Sequence, residues 1–400
     1  MSRSLFALLC VSVWINYMDR GNLSVAAPVL QPEMGLSPTQ MGILFSGFFW
    51  TYSLLQPLSG WLVDRFDVYR LYAAGFAVWS LAVAAGGLSN GFVFLFATRL
   101  VLGAGESMAY PAYSRILAGN FPEGRRGLAN AMLDVGTKAG PALGTVLGAM
   151  FIQAGGWRGF FVVMGMLSLL WIFPWMRSIP PAALPGKAHP RSQHAEVLRT
   201  TAAWITFAGL FGFNYAYYFL LTWLPSYLVT ERKFSMTAMA IYGSLPFCVS
   251  AGASLLSGVW TDRQVRRGAG PDVRRRIATA GLLLSAVMLT LSAAAPAWIA
   301  MPLLMLAFGG VGLFSGNVWA ITQTLAGPGK AGSWTGLQNA FGNVGGVVAP
   351  ILTGWLVGRN GRFSSAFTVA SMMLVLSAVC YGVLLRSISA PLPAVATHER

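Results

Sequence analysis

Six ionisable residues, Asp19, Arg20, Arg99, Glu106, Asp134 and Lys138, stand inside long apolar stretches of this 400-residue chain. A charge at membrane depth is costly, so such groups face a cavity, a partner or both. Arg20 and Arg99 are planar cations that grip a carboxylate through paired hydrogen bonds, a geometry lysine does not offer, and they form a candidate anion clamp. Asp19 and Glu106 lie deep enough for loss of water to favour the neutral acid, and they are the candidate proton carriers.

Spacing refines this chemistry. Arg99 and Glu106 are seven apart, two helical turns, and so share one face of a helix. The expectation is an ion pair between them that opens when Glu106 is protonated, freeing Arg99 for an anion. Asp134 and Lys138 are four apart, and two readings stand side by side: a pair that neutralises both, or Lys138 reaching a cavity as a third cation about 18 Å into its helix. Tyr17, Tyr52, Trp319, Asn339 and Asn343 can offer hydroxyl, indole and amide groups to a hydroxylated ligand, as can Asn317, since a buried amide must find partners. Trp223 and Pro225 are expected to kink and help gate their helix.

These residues need helices of membrane-spanning length to position them. Hydrophobic residues make up 56% of the chain and charged ones 10%, with a mean hydropathy of +0.62, so water is not the main solvent. Twelve apolar runs of spanning length recur: 4–28, 40–62, 70–89, 92–118, 126–152 and 157–176, then 201–229, 237–261, 275–295, 297–325, 332–357 and 364–386. The fold class expected is an all-α membrane protein. The first run carries Asn16, Asp19, Arg20 and Asn22 and is expected to be retained as a helix, not cleaved as a signal peptide. Cys10, Cys248 and Cys380 show no metal-ligand or redox spacing and are expected as small core residues.

The net charge of +15 is topological. Nineteen of the 27 basic residues fall in even-numbered loops and the two tails, and five, Arg158, Arg232, Lys233, Arg359 and Arg362, in the opposite loops. By the bias of Lys and Arg toward the cytoplasm, both termini are cytoplasmic, and no nucleic-acid partner is implied. The polar stretch IPPAALPGKAHPRSQH divides the helices six and six. The expected organisation is an N-terminal bundle (1–176), a cytoplasmic linker (177–200), a C-terminal bundle (201–386) and a cytoplasmic tail (387–400). GLANAMLDVGTKAGP aligns with GLQNAFGNVGGVVAP, and GWLVDR with GVWTDR, so the halves are parallel repeats. Two repeats rocking about a midplane site are what alternating access requires.

GWLVDRFDVYR resembles the loop signature of the major facilitator superfamily, and GVWTDR is its second copy. The resemblance implies a cytoplasmic gate network of Asp64, Arg65, Asp262 and Arg263. INYMDRGNLSVAAP, RLVLGAGE, NYAYYFLLTWLPSYL and GLQNAFGNVGG together look like the anion:cation symporter family within it. That likeness implies twelve helices around a central cavity and proton-coupled import of a small organic anion such as a sugar acid. It also implies that the Asp19–Arg20 pair with Arg99 and Glu106 are the working positions. The setting expected is a bacterial inner membrane, with a monomer, the lipid bilayer, protons and the anion as the only partners.

Other classes fit less well. His189, His194 and His398 fall in the linker and tail, no nucleophile has a base near it, and no cofactor is expected. No phosphate-binding G-x-x-x-x-G-K-[ST] loop exists to support ATP-driven transport. The competing reading is a proton-coupled exporter of cationic or amphipathic compounds, against which the two cavity arginines weigh.

Overall fold

The computed structural model describes residues 3–121, 123–179, 194–270 and 272–385, with the side chains of 64, 118, 123–128, 130, 131, 328, 329 and 331 excepted. Most of the expected linker and all of the expected tail fall outside the described residues. Among those described, all regular structure is helical.

In chain order the helices are α1 (Arg3–Glu33), α2 (Pro38–Arg65), α3 (Val68–Gly86), α4 (Phe92–Glu106), α5 (Ala109–Asn120), α6 (Glu123–Leu170) and α7 (Ile172–Ser178). After the short α8 (His194–Leu198) come α9 (Thr201–Ser226), α10 (Met236–Arg266), α11 (Asp272–Ala294), α12 (Ala297–Ser315), α13 (Val318–Asn360) and α14 (Ser364–Val379). Ser37 caps α2 reciprocally with Gln40, Asp67 caps α3 and Ser235 caps α10, so polar residues set where these spans begin.

Eight helical stretches are long and apolar enough to cross a membrane. One of them, Met132–Ser178, is 47 residues long and breaks at Gly156, where φ is 71°, so it makes two crossings. Helices α1, α2 and α9, of 31, 28 and 26 residues, are also long enough to cross. The described residues thus hold twelve helical stretches of crossing length. Its exterior is apolar: Leu54, Leu256 and Trp298 are each more than 70% exposed, as a lipid-facing surface requires.

Three expected spans are interrupted, and in the run over 157–176 α6 ends at Leu170 and α7 starts at Ile172. The run expected over 92–118 ends as α4 at Glu106 and resumes as α5 after Ser107 and Met108, so the break falls beside the buried carboxylate. The run over 297–325 breaks at Gly316 and Asn317, the corresponding place in the second repeat. Of the cysteines, Cys380 is buried and Cys10 partly so, but Cys248 on α10 is exposed and so is not the core residue expected.

Helix α1 packs along α6 and α9 along α13, and three helix pairs, α1 with α9, α2 with α13 and α6 with α10, form the seam between the repeats. The seam is closed at the end that carries the α1–α2 turn, called here the far end. There Ser24 Oγ lies 2.9 and 2.7 Å from the carbonyls of Leu221 and Thr222. Two glycines let backbones touch: a Cβ on Gly42 would stand 2.3 Å from the Pro350 carbonyl oxygen, and one on Gly354 2.3 Å from that of Pro38. No side chain larger than hydrogen fits at either place. Phe45 meets Trp223 edge-on at 5.1 Å, and Thr237 donates to Gln153 at 3.5 Å.

Candidate functional site

The helix ends at the far side hold α1 by its last residue. Trp157 Nε1 donates to Glu33 Oε2 at 2.7 Å and Arg158 donates to Oε1, tying α1 to α6. About halfway down that anchored helix, α1 presents Asp19 and Arg20 side by side, both buried, and α4 presents Arg99 and Glu106 opposite them.

Arg20 Nε donates to Glu106 Oε2 at 2.7 Å, with side chains 4% and 0% exposed. The Arg20 guanidinium is packed against three rings: Tyr17 at 4.6 Å, Phe48 at 4.9 Å and Tyr52 at 4.6 Å. Desolvated contacts of a cation with aromatic faces contribute about 2 kcal/mol in favourable cases. Arg99 lies 5.7 Å from the same Phe48 ring, and its Nε has no hydrogen-bond partner among the described residues. The two arginines thus sit on one aromatic platform, and among the described residues only Arg20 forms an ion pair.

The expected partner of Glu106 was Arg99; the observed partner is Arg20. Seven residues along α4 put Arg99 and Glu106 on one face about 10 Å apart along the axis, and no ion pair joins them among the described residues. Arg20 reaches across from α1 and closes the pair.

Asp19 points away from Arg20. Its Oδ1 accepts from Asn22 Nδ2 at 3.1 Å, its Oδ2 has no partner, and the Trp79 indole of α3 lies beside it. Around it the buried polar atoms Asn16 Oδ1 and Nδ2, Asn22 Oδ1, Trp79 Nε1, Ser80 Oγ and Glu106 Oε1 also lack partners among the described residues. Buried polar atoms are normally paired, so this group is poised to exchange partners.

Asp134 and Lys138 do form a pair on α6, with Nζ 2.7 and 2.6 Å from the two carboxylate oxygens. Thr137 Oγ1 adds a 3.3 Å contact to Oδ1.

The remaining expected residues divide. Tyr17 shares a 2.8 Å hydrogen bond with Tyr110, and Tyr52 is buried and stacked on Phe48. Asn343 accepts from Tyr218 at 2.8 Å and is buried, whereas Asn339 and Trp319 are half-buried. Asn317 donates to Ser257 and the Leu313 carbonyl and accepts from Thr261 at 2.8 Å, which spends its amide between α10 and α12. Trp223 Nε1 donates to the Pro350 carbonyl at 3.3 Å, at the closed end of the seam. At the near end Arg65 lies 5.3 Å from the Trp61 ring, Arg263 is exposed, and Asp262 accepts from Arg274 at 2.6 Å. The side chain of Asp64 lies outside the described residues.

Sequence reasoning missed Tyr110, Tyr218 and Trp79 as neighbours of the charges. The first two are phenols within otherwise apolar helices, a signal available in SMAYPAY and NYAYYF. Trp79 is one of 14 tryptophans and carries no such mark.

Comparisons with known proteins agree with this architecture. The solved structure of a bacterial homologue of the human lysosomal transporter Spinster, inward-facing and unoccupied, superposes with a TM-score of 0.82 at 18% identity, covering 98% of this chain and 100% of that one. The probable sulfoacetate transporter of Cupriavidus necator is 28% identical over 94% of this chain and 92% of its own length. The probable galactarate/D-glucarate transporter of Bacillus subtilis is 29% identical over 92% and 88%. The D-galactonate transporter of Escherichia coli is 28% identical over 94% and 93%. With residues 9–350 matching the family model as well, this chain belongs to the Major Facilitator Superfamily, whose members are membrane transporters and not enzymes.

Proposed function

We propose that this chain imports a small organic anion, a sugar acid or related carboxylate, by proton symport with alternating access. The observation that carries the reading is the buried Arg20–Glu106 pair, with Arg99, whose Nε has no hydrogen-bond partner among the described residues, on the same aromatic platform. Protonating Glu106 removes the anion that holds Arg20, and the freed guanidinium, together with Arg99, receives the anionic group of the substrate. Loss of the proton on the opposite side restores the pair and expels the anion. Asp19, which forms no ion pair among the described residues, is the second proton carrier. Tyr17, Tyr52, Trp319, Asn339 and Asn343 offer groups to substrate hydroxyls, with Lys138 as a further cation.

The excess of basic residues in the near-end loops supports cytoplasmic termini in a bacterial inner membrane. On that orientation the seam is closed toward the outside, and the described state faces the cytoplasm. Asp64, Arg65, Asp262 and Arg263 then stand at the open mouth and meet when the two bundles, 1–176 and 201–386, rock together over the linker 177–200. A monomer suffices for this cycle. The named cargoes of the relatives are all organic anions, which favours this reading over export of cationic compounds.

The test is uptake into liposomes under an imposed pH gradient, with D-galactonate, D-glucarate and a cationic dye as probes. Wild type should accumulate an acid against its gradient. Arg99→Ala should abolish uptake, and Glu106→Gln should abolish accumulation driven by pH while retaining exchange. Movement of the dye alone would refute the substrate class, and acid uptake indifferent to the pH gradient would refute the coupling.

A further inference from the structure

Helices α10 and α11 form a hairpin that turns at the near end, and its two legs pack on α12 far more than on one another. Over α12, between the legs, a groove of about 540 Å³ opens on the exterior. Val249 and Ala253 of α10, Leu284 of α11 and Leu306, Gly309 and Leu313 of α12 line it, and every lining residue is apolar. Gly309 deepens the hollow. A Cβ there would meet only Val249 Cγ1, at 3.7 Å, so the space beside it is open.

What fills such a groove in a bilayer is decided by its chemistry and its width. Lining atoms without neighbours forfeit their dispersion contacts, so the hollow attracts an occupant. A polar group there would lose its hydrogen bonds, so the occupant is hydrocarbon. The α12 wall runs from Pro302 to Leu313, about 16 Å at 1.5 Å per residue. Spread over that length, 540 Å³ averages about 33 Å² in section, less than half that of a helix about 10 Å across. The groove fits a single hydrocarbon chain and is too narrow for a helix of another subunit.

The turn of the hairpin supplies charge. Arg266 ends α10, Arg267 follows it, and Arg274, Arg275 and Arg276 stand at the start of α11. Cations at a helix N-terminus oppose its dipole, so those on α11 require anionic partners. Arg274 has Asp262 at 2.6 Å and Arg275 has Asp272 at 3.2 Å. Arg276, like Arg266 and Arg267, is exposed and forms no ion pair among the described residues. Of the two on α10, Arg267 stands five full turns from Val249 and so shares its face. Leu284 lies about 12 Å deeper than Arg276 along α11, and the hydrocarbon of one leaflet is about 15 Å deep, half of a core of about 30 Å. A lipid with its headgroup at the turn therefore brings the end of an acyl chain into the groove.

We infer that the α10–α11 hairpin seats one retained anionic phospholipid, its phosphate at Arg267 and Arg276 and one acyl chain lodged in the groove beside Gly309. The charge selects the headgroup and the groove holds the chain, so both are needed for retention. The site stands apart from the buried charges of α1 and α4 and is independent of the solute carried.

Native mass spectrometry of the full chain in detergent reads lipid retention directly, with phosphatidylglycerol and phosphatidylcholine of identical acyl chains supplied in equal amounts. Wild type should retain one phosphatidylglycerol in preference. Arg267→Gln with Arg276→Gln should weaken its retention roughly tenfold or more, the scale of two cations removed from the membrane surface, and the paired lysine substitutions should keep most of it. Gly309→Leu leaves the arginines in place and puts its side chain into open space, and it should weaken retention of the same lipid by a similar factor. Equal retention of the two lipids by wild type, or unchanged retention in either the glutamine or the leucine variant, would overturn the site. So would a lipid-free dimer in place of a monomer carrying lipid.

Discussion

Gly42 of α2 and Pro350 of α13 touch backbone to backbone across the seam, with 2.3 Å between the place of a Gly42 Cβ and the Pro350 carbonyl oxygen. The same contact recurs between Gly354 and Pro38, so the closed end is held by a reciprocal pair of glycines. Closure here is steric fit over two points and tolerates no added methyl group.

Gly42→Leu should hold the far end open. A cysteine placed at Ser24, which is buried against Leu221 and Thr222 in the closed seam, should react with a membrane-impermeant thiol reagent at least tenfold faster in the Gly42→Leu background. Equal labelling in both backgrounds would show that the glycine contact is not what closes this end.

Arg20→Ala should be severely destabilising. It leaves Glu106 buried and unpaired, and breaking one partner of a buried pair costs about 3–5 kcal/mol. The double variant Arg20→Ala with Glu106→Gln should recover part of that loss, since the residual group is neutral. Thermal unfolding in detergent reads both, and a double variant no more stable than the single one would contradict the pairing.

Asn317→Ala should lower thermal stability by about 0.5–1.5 kcal/mol, the net worth of a lost hydrogen bond, since Ser257 and Thr261 keep backbone acceptors, without changing the order in which acids are taken up. The amide is committed to α10 and α12, so a change of substrate order would place Asn317 in the cavity after all.

Glu33 gives a pH dependence of defined sign. The hydrogen bond from Arg158, and then that from Trp157, holds its carboxyl below the ordinary glutamate value. Its contribution is therefore complete above the unfolded-state value and lost as pH falls through the lowered folded-state one. Wild type should lose stability on acidification through that window more steeply than Glu33→Gln. Parallel melting curves for the two proteins against pH would remove Glu33 from the account.

The six charges were legible because each interrupts a run that is otherwise apolar, and the even division of spans around the linker made twelve crossings legible too. The partner of Glu106 was not. Spacing along a helix reports which face a residue occupies, but which neighbour reaches it depends on how far α1 and α4 approach, and that is set by packing. The same limit hid the contact of Gly42 with Pro350, since a glycine in an apolar helix reads alike whether it meets lipid or a carbonyl. Asn317 shows the converse error. An amide in an apolar helix does need partners, but Ser257 and Thr261 on α10 supply them without any ligand.

The six charges within the apolar helices, five of them buried and Asp134 half-exposed, sum to zero when both candidate proton carriers are ionised: Arg20, Arg99 and Lys138 against Asp19, Glu106 and Asp134. Their electrical consequence concerns the membrane voltage, which acts on moved charge with about 2.3 kcal/mol per elementary charge per 100 mV. A bundle carrying balanced charges reorients without sensing that voltage. The steps that feel it are those that bring unbalanced charge into the site, so current should track loading of the protein and not its return when empty.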